Sequence, residues 1–267
     1  MNPYQSIEAE VKEVITETPT IKTFILRPRE NFVFETGQFV ELSLNGSGEA
    51  PFTPSSNPAI KEKLAVTVMN VGWLTSKLHQ IEKGEILGVR GPYGKGYPLS
   101  QFKGKNILIV GGGVGLAPLR SLILALLNDL SPYKKIFLRY GAKTPQDIVY
   151  KNELPQWKNR LDIEISVDKA DNSWSGRVGV VTSLLNDFKY DSNTMSIVCG
   201  PPIMMKFTTF KLLELGFKPE EIYLSMEKNM SCGLGKCGHC RMGRYYVCKD
   251  GPVFTYDKIK DMPDIWE

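Results

Sequence analysis

Two kinds of hydrophobic periodicity divide this chain. From residue 7 to about residue 100, apolar positions recur every second residue. Ile21, Thr23 and Ile25 alternate with Lys22 and Phe24, Val40, Leu42 and Leu44 alternate with Glu41 and Ser43, and Leu64, Val66 and Val68 continue the pattern. A period of two belongs to half-buried strands, and the Gly, Pro, Asn and Ser between the runs supply turns. Several short strands without a long helical period predict a small antiparallel β-barrel. The exception is the stretch 75–81, where Leu74, Leu78 and Ile81 stand at helical spacing.

From about residue 104 the pattern changes. Asn106 opens a short apolar run to Val110, of the kind a buried parallel strand gives. GGGVG follows at 111–115, then a predicted helix over 116–127. Further strands are expected at 135–140, 161–167 and 195–199. After Pro202, Ile203, Phe207, Phe210 and Leu213 stand at three- and four-residue steps, the stripe of a helix that Gly216 stops. Such alternation predicts a parallel α/β sheet with crossover helices. The remainder, from about Glu227, is rich in Gly and Cys. The expected fold is therefore an N-terminal antiparallel β-barrel over 1–101, an α/β parallel-sheet domain over 102–226 and a small C-terminal segment over 227–267.

Composition narrows the function classes. A length of 267 residues suits about two domains. With 42% hydrophobic and 23% charged residues, this is an ordinary globular chain. A net charge of +4 without a basic run argues against nucleic acid as a partner. The N-terminal MNPYQSIEAEVKEV has no charged region followed by an apolar one, so no export signal is expected. The richest apolar stretch, 116–127, contains Arg120 and is too short to span a membrane. The expected setting is the reducing cytoplasm.

The C-terminal segment changes the picture most. Cys232, Cys237, Cys240 and Cys248 read C-x4-C-x2-C-x7-C within SCGLGKCGHCRMGRYYVCKDG. The first three match the plant-type spacing for a [2Fe–2S] cluster, and the last completes four thiolates. Gly233, Gly235 and Gly238 lie between the ligands and let backbone N–H groups donate to sulfur. Structural zinc is the alternative, although its signature is two separate short knuckles. Disulfides need an oxidising compartment. His239 lies inside the ligand loop as a bystander, and Cys199 stands apart as the fifth cysteine.

The strand, glycine turn and helix at 106–127 make a candidate anion site, because open backbone N–H groups and the helix dipole both favour phosphate. Pro118 fits the first helical turn. It also occupies the place of the third glycine of the dinucleotide fingerprint, and Arg139, Tyr140, Gly141, Ala142 and Lys143 stand where an acidic residue is usual. A tight turn without a ligand is the alternative reading of this segment alone.

At this point the chain resembles the ferredoxin–NADP reductase superfamily, which pairs a flavin-binding barrel with a nicotinamide-binding α/β domain. GGGVGLAP at 111–118 looks like that family's nicotinamide-nucleotide pyrophosphate turn, which would make Gly112, Gly113, Val114, Gly115, Ala117 and Pro118 nucleotide contacts. Cys199, Gly200, Pro201 and Pro202 are similar to its C-G-P motif beside the reacting ring. Within the superfamily, GKCGHCRMG, YVCKDGPVF, GPPIM and GEAPFTPSS resemble a subset with an iron–sulfur tail. That subset holds the γ subunits of cytoplasmic sulfhydrogenases, the B subunit of anaerobic sulfite reductase and, more distantly, the electron-transfer subunit of dihydroorotate dehydrogenase. The resemblance covers nearly the whole chain.

The family's flavin motif is Arg-x-Tyr-Ser, and Ala50, Pro51, Phe52 and Thr53 stand in its place. The phosphate-binding arginine is missing, whereas Phe52 can stack and Thr53 can supply a hydroxyl near the reacting ring. The resemblance implies that Asn70, Gly72, Leu74 and Thr75 take over the FAD pyrophosphate through backbone amides and the Thr75 hydroxyl; read locally, Thr75 is a helix N-cap, and the two roles are compatible. It also implies that the segment from Gly91 to Tyr97 closes the barrel near the flavin. Arg139 and Lys143 are candidates for a 2′-phosphate. Thr53 and Cys199 are expected at the chemistry itself.

The expected function is exchange of hydride between NAD(P)H and FAD, with single electrons passing through the cluster to or from a redox partner subunit of hydrogenase or sulfite-reductase type. No terminal acceptor motif is present in the chain, and its two histidines leave general acid–base work little material. The competing expectations are a dihydroorotate-type electron-transfer subunit, disfavoured by Ala50, and a zinc-stabilised module without enzymatic activity.

Overall fold

The computed structural model describes residues 2–266. Its first unit contains β1 (Ile7–Thr18), β2 (Ile21–Pro28), β3 (Phe39–Leu44), β4 (Gly48–Phe52), β5 (Leu64–Met69), the short helix α1 (Trp73–Leu78) and β6 (Ile86–Tyr93). The six strands form one sheet in the order β4-β3-β6-β1-β2-β5, antiparallel throughout. Its two edges meet through a bridge between Pro54 and Val66 and a 2.8 Å bond from the Ser55 N–H to the Ala65 carbonyl, closing a barrel. Phe24, Leu26, Val40, Leu42, Leu64, Val66 and Val68 fill its interior. The period-two pattern is therefore real, but in β2 it is Phe24 and Leu26 that enter the barrel. Ile21 belongs instead to the core of the next domain.

The second unit contains β7 (Asn106–Gly112), α2 (Leu116–Asn128), β8 (Ile136–Ala142), α3 (Leu154–Lys158), β9 (Asp162–Val167), β10 (Arg177–Val178), β11 (Thr194–Cys199), α4 (Pro202–Glu214) and β12 (Ile222–Ser225). The C-terminal segment adds β13 (Arg241–Met242), β14 (Tyr245–Tyr246), α5 (Val247–Asp250), β15 (Val253–Thr255) and α6 (Tyr256–Ile259). The large sheet has the order β10-β9-β8-β7-β11-β12-β15. Its neighbours are parallel except at β15, which runs antiparallel to β12 and so fastens the cysteine-rich segment to the sheet edge.

Helix α4 forms where expected, but it is rotated. The stripe of Ile203, Phe207 and Phe210 is exposed, Ile203 at 60% and Phe207 at 56%, while Met205, Thr208, Thr209 and Leu212 face the core. Thr209 can be buried because its hydroxyl donates to the Met205 carbonyl at 2.8 Å. Among the described residues no helix is long and apolar enough to cross a membrane.

Candidate functional site

Strands β7 and β11 lie side by side in parallel, with Cys199 opposite Gly111. The chain leaves β7 toward β8 on one side and β11 toward β12 on the other, so the strand order reverses between them. An open α/β sheet leaves its ligand crevice at such a point, beyond the carboxyl ends of the strands. Here the walls are the turn Gly113–Gly115 and the pair Gly200 and Pro201. They touch closely: a Cβ on Gly115 would stand 2.5 Å from the Cys199 carbonyl oxygen and 2.6 Å from the Gly200 Cα. Gly113 has φ +54°, and apart from its chain neighbours no atom of the described residues lies within 4 Å of its Cβ position, so this part of the turn opens outward. Helix α2 starts directly after it, with Ala117 and Pro118 in its first turn. The Tyr140 hydroxyl donates to the Gly113 carbonyl at 3.2 Å and accepts from the Val149 N–H at 3.3 Å, which fixes the turn from below.

Cys199 ends β11 and is buried. Burial above all, then the charge of Glu227, pushes its thiol up to about 12, so it is neutral at physiological pH. Lys143 is exposed just past the end of β8, on the crevice edge. Arg139 is not there. Strand β8 runs two residues further than predicted, and this puts Arg139 in its middle. Its guanidinium is held by Asp162 at 2.8 Å and Glu164 at 3.3 Å and donates to the Asp162 carbonyl. The expectation that Arg139 meets a 2′-phosphate is corrected: its positive charge is already paired within the sheet.

The flavin-motif stretch lies on edge strand β4, with Phe52 opposite Val40 and Ala50 opposite Leu42. Helix α1 packs against β4. Phe52 and Leu74 are both half-buried against the barrel core, and Pro51 and Thr53 are half-buried beside them. The stretches 50–53 and 70–75 are thus brought together. Thr75 is not the N-cap; it is the third residue of α1. Its Oγ1 accepts the N–H groups of Val71 at 3.0 Å and Gly72 at 2.8 Å, and its hydroxyl donates to the Gly72 carbonyl. The Thr75 hydroxyl therefore shapes the loop. The amides left for an anion are those of Trp73 and Leu74 in the first turn of α1, where a helix supplies no acceptors.

The two sites adjoin. Strand β5 lies against the Gly113–Gly115 turn. Across the same boundary, Thr67 and Tyr150 share a hydroxyl–hydroxyl bond of 2.6 Å, and Arg120 donates to the Ser55 carbonyl while pairing with Glu153.

The four tail cysteines line one loop over α5 and the β13–β14 hairpin. Cys240 and Cys248 are buried with their sulfurs 3.1 Å apart, and Cys237 is exposed. Backbone N–H groups point at sulfur: Gly235 to Cys248 at 2.9 Å, and Leu234 and Lys236 to Cys232 at 3.3 and 3.4 Å. Burial raises the Cys232 thiol, but the amides of Cys237, Leu234 and Lys236 outweigh it and lower the thiol overall. Cys237 is lowered to about 7 by the His239 amide and then Cys232. Cys248 is pushed up to about 12 by burial and by Cys240, a cost that metal ligation removes because a coordinating thiol is deprotonated outright. Amides aimed at sulfur fit an iron–sulfur centre, whose sulfurs take such bonds. The His239 ring is engaged with the Ser231 hydroxyl at 2.9 Å.

Sequence reasoning missed how the barrel holds this loop. The Lys95 N–H donates to the Gly251 carbonyl at 2.6 Å, so the turn after β6 carries the Cys248 side of the loop. The signal was present in the glycines of 91–96, read only as barrel closure. Glu41 was missed as well. Its carboxyl is buried without a hydrogen-bond partner among the described residues and is raised to about 7 by burial, then by Glu49.

Fold and site together define a flavin- and nicotinamide-dependent oxidoreductase with an iron–sulfur domain. Residues 7–97 match the oxidoreductase FAD-binding domain, 109–209 the oxidoreductase NAD-binding domain, and 227–260 the iron–sulfur cluster binding domain of dihydroorotate dehydrogenase B. The chain belongs to the family of electron-transfer subunits that joins these three domains. The sulfhydrogenase 2 subunit gamma of Pyrococcus furiosus is 38% identical, over 96% of each chain. A probable dihydroorotate dehydrogenase B (NAD(+)) electron transfer subunit of Methanocaldococcus jannaschii is 36% identical, over 94% of this chain and 90% of that one. The solved structure of an NADH-dependent reduced ferredoxin–NADP oxidoreductase is 27% identical with a TM-score of 0.74, covering 94% of this chain and 91% of that one.

Proposed function

We propose that this chain is the electron-transfer subunit of a larger complex. It exchanges hydride between NAD(P)H and FAD and passes single electrons through a [2Fe–2S] cluster to or from a partner subunit of hydrogenase or sulfite-reductase type. The observation that carries this reading is the contact of β5 with the Gly113–Gly115 turn, beside a barrel that also holds the cysteine loop. A flavin supplies the exchange between a two-electron and a one-electron carrier, chemistry that belongs to the cofactor. The C-x4-C-x2-C spacing supports two irons.

The chain's own residues bind and orient. Phe52 offers an aromatic face and Thr53 a hydroxyl, while the amides at the start of α1 take the phosphate load that Ala50 cannot carry. Gly113, Val114 and Gly115, with Gly112, Ala117 and Pro118 behind them, cradle the nucleotide pyrophosphate. Cys199, Gly200 and Pro201 form the opposite wall, where a neutral buried thiol adds no charge that would oppose hydride movement. Lys143 is the candidate contact for a 2′-phosphate. We assign residues 1–101 to FAD, 102–226 to NAD(P)H and 227–267 to the cluster, in a cytoplasmic setting that keeps four thiolates reduced.

A dihydroorotate-type role is the second reading, favoured by the relative at 36% identity and separated from the first by what co-purifies. The test is anaerobic purification followed by iron, acid-labile sulfide and flavin analysis, then dye reduction with NADH and NADPH. Two irons and two sulfides per chain with dye reduction are expected. A colourless zinc protein, or a fully loaded one inert with both nucleotides, would refute the proposal.

A further inference from the structure

One side chain links the flavin strand to the cysteine loop. Arg90, on β6, is 5% exposed. Its Nε donates to Glu49 at 2.7 Å and a second nitrogen to the other oxygen of the same carboxylate, a bidentate pair. Glu49 immediately precedes the 50–53 stretch on β4. The third nitrogen donates to the Tyr93 hydroxyl at 3.0 Å and to the Cys232 backbone carbonyl at 3.1 Å. Tyr93 lies under the guanidinium, 5.4 Å from its ring centroid, and donates to the Pro3 carbonyl. The ring also meets the loop, 3.1 Å from where a Gly233 Cβ would stand.

The surroundings make this charge count. Glu41, paired with Arg90 across β3 and β6, is 1% exposed and neither of its oxygens has a hydrogen-bond partner among the described residues. One of those oxygens is 3.2 Å from the Gly233 Cβ position. Arg90 is thus a buried cation hydrogen-bonded to a candidate cluster ligand, next to two carboxylates. A charge away from water is weakly screened, so its effect on a nearby redox centre is correspondingly large.

We infer that Arg90 is a positioning residue that fixes the Cys232 side of the cluster loop on the barrel and holds the cluster's reduction potential up. The inference rests on the iron–sulfur reading above. Reduction adds one electron, and so one negative charge, to the cluster. A fixed guanidinium bonded to the Cys232 carbonyl stabilises that added charge, while Glu49 offsets part of the effect.

The experiment is redox titration of the anaerobically purified full chain, followed by EPR, for wild type, Arg90→Gln, Arg90→Lys and Glu49→Gln. Arg90→Gln removes the cation and lowers the potential, with a change of about tenfold in the reduced-to-oxidised ratio at fixed poise, or 59 mV for one electron. Arg90→Lys keeps the charge and restores most of it. Glu49→Gln unbalances the cation and raises the potential. Opposite signs for the Gln variants at 90 and 49 are the signature, since a merely structural role predicts no such pairing. Unchanged potentials, or shifts of one sign in both, overturn the inference. If Arg90→Gln does not load iron, Glu49→Gln decides alone: an upward shift supports the inference, and none or a downward one overturns it. Failure of wild type to carry iron and sulfide would instead remove the iron–sulfur reading itself.

Discussion

Gly115→Ala is the sharpest test of the nucleotide crevice. Gly115 has φ −61° and ψ −12°, a helical conformation that any residue adopts, so backbone strain is not at issue. The difficulty is contact. The added Cβ would stand 2.5 Å from the Cys199 oxygen, 2.6 Å from the Gly200 Cα and 2.7 Å from the Cys199 carbonyl carbon. All three are backbone atoms, and Cys199 is held in register with Gly111 of β7, so no side chain can swing away. The shortfall is roughly 1 Å from ordinary carbon contact. Overpacking typically costs about 1–3 kcal/mol, and with only backbone to move the upper end applies. At about 2–4 °C per kcal/mol, the melting temperature should fall by about 6–12 °C. The comparison is Gly113→Ala, where φ is +54° and the Cβ position is free of neighbours. That change carries only the left-handed backbone penalty of about 1–2 kcal/mol. Thermal denaturation and NADH and NADPH titration of both variants measure the difference. Gly115→Ala should be the less stable of the two and lose nucleotide affinity, because Cys199 and Gly200 must shift. Wild-type stability in Gly115→Ala, or a larger loss in Gly113→Ala, would refute the reasoning.

Three further outcomes follow from individual residues. Cys199, buried and with its thiol raised to about 12, should escape iodoacetamide in the native protein from pH 7 to 9, because the thiolate is the reacting form; peptide mapping that finds it alkylated at a free-thiol rate would contradict the burial. Tyr150→Phe should cost about 1 kcal/mol in urea denaturation, since Thr67 retains its bonds to Thr23 and Ser55; a loss above about 3 kcal/mol would mean the hydroxyl cluster acts as one unit. Phe207→Ser, on the exposed side of α4, should stay within about 0.5 kcal/mol of wild type, while Leu212→Ala loses about 2–5 kcal/mol. The reverse ranking would show that the helix is turned the other way.

The helix α4 explains what periodicity can and cannot reveal. Ile203, Phe207, Phe210 and Leu213 do mark a helix, because a stripe at that spacing exists only on one. They do not mark its buried side, since Thr208 and Thr209 are small enough to pack inward and Thr209 satisfies its hydroxyl within the helix. The same limit applies in β2. Alternation located the strand, but two cores compete for it: Phe24 goes into the barrel and Ile21 into the nucleotide domain. A local pattern describes faces, and the partner that covers each face is chosen by tertiary packing.

The candidate sites divide along the same line. Cysteine spacing and the glycine turn were legible because their chemistry is local: candidate ligands five and three positions apart, or a turn that needs close backbone approach. Arg139 was misread because a strand end displaced by two residues moved its side chain from the crevice edge to a pair of carboxylates. Glu41 reads as the polar side of an alternating strand, and would be one if β3 faced water. It is buried instead, and one of its oxygens meets Gly233, nearly two hundred positions later in the chain. Arg90 is hidden from sequence for the same reason, since Glu49 and Cys232 are 41 and 142 positions away. A buried charge of this kind can be placed only by long-range contacts, and those same contacts bring the flavin strand and the cysteine loop together.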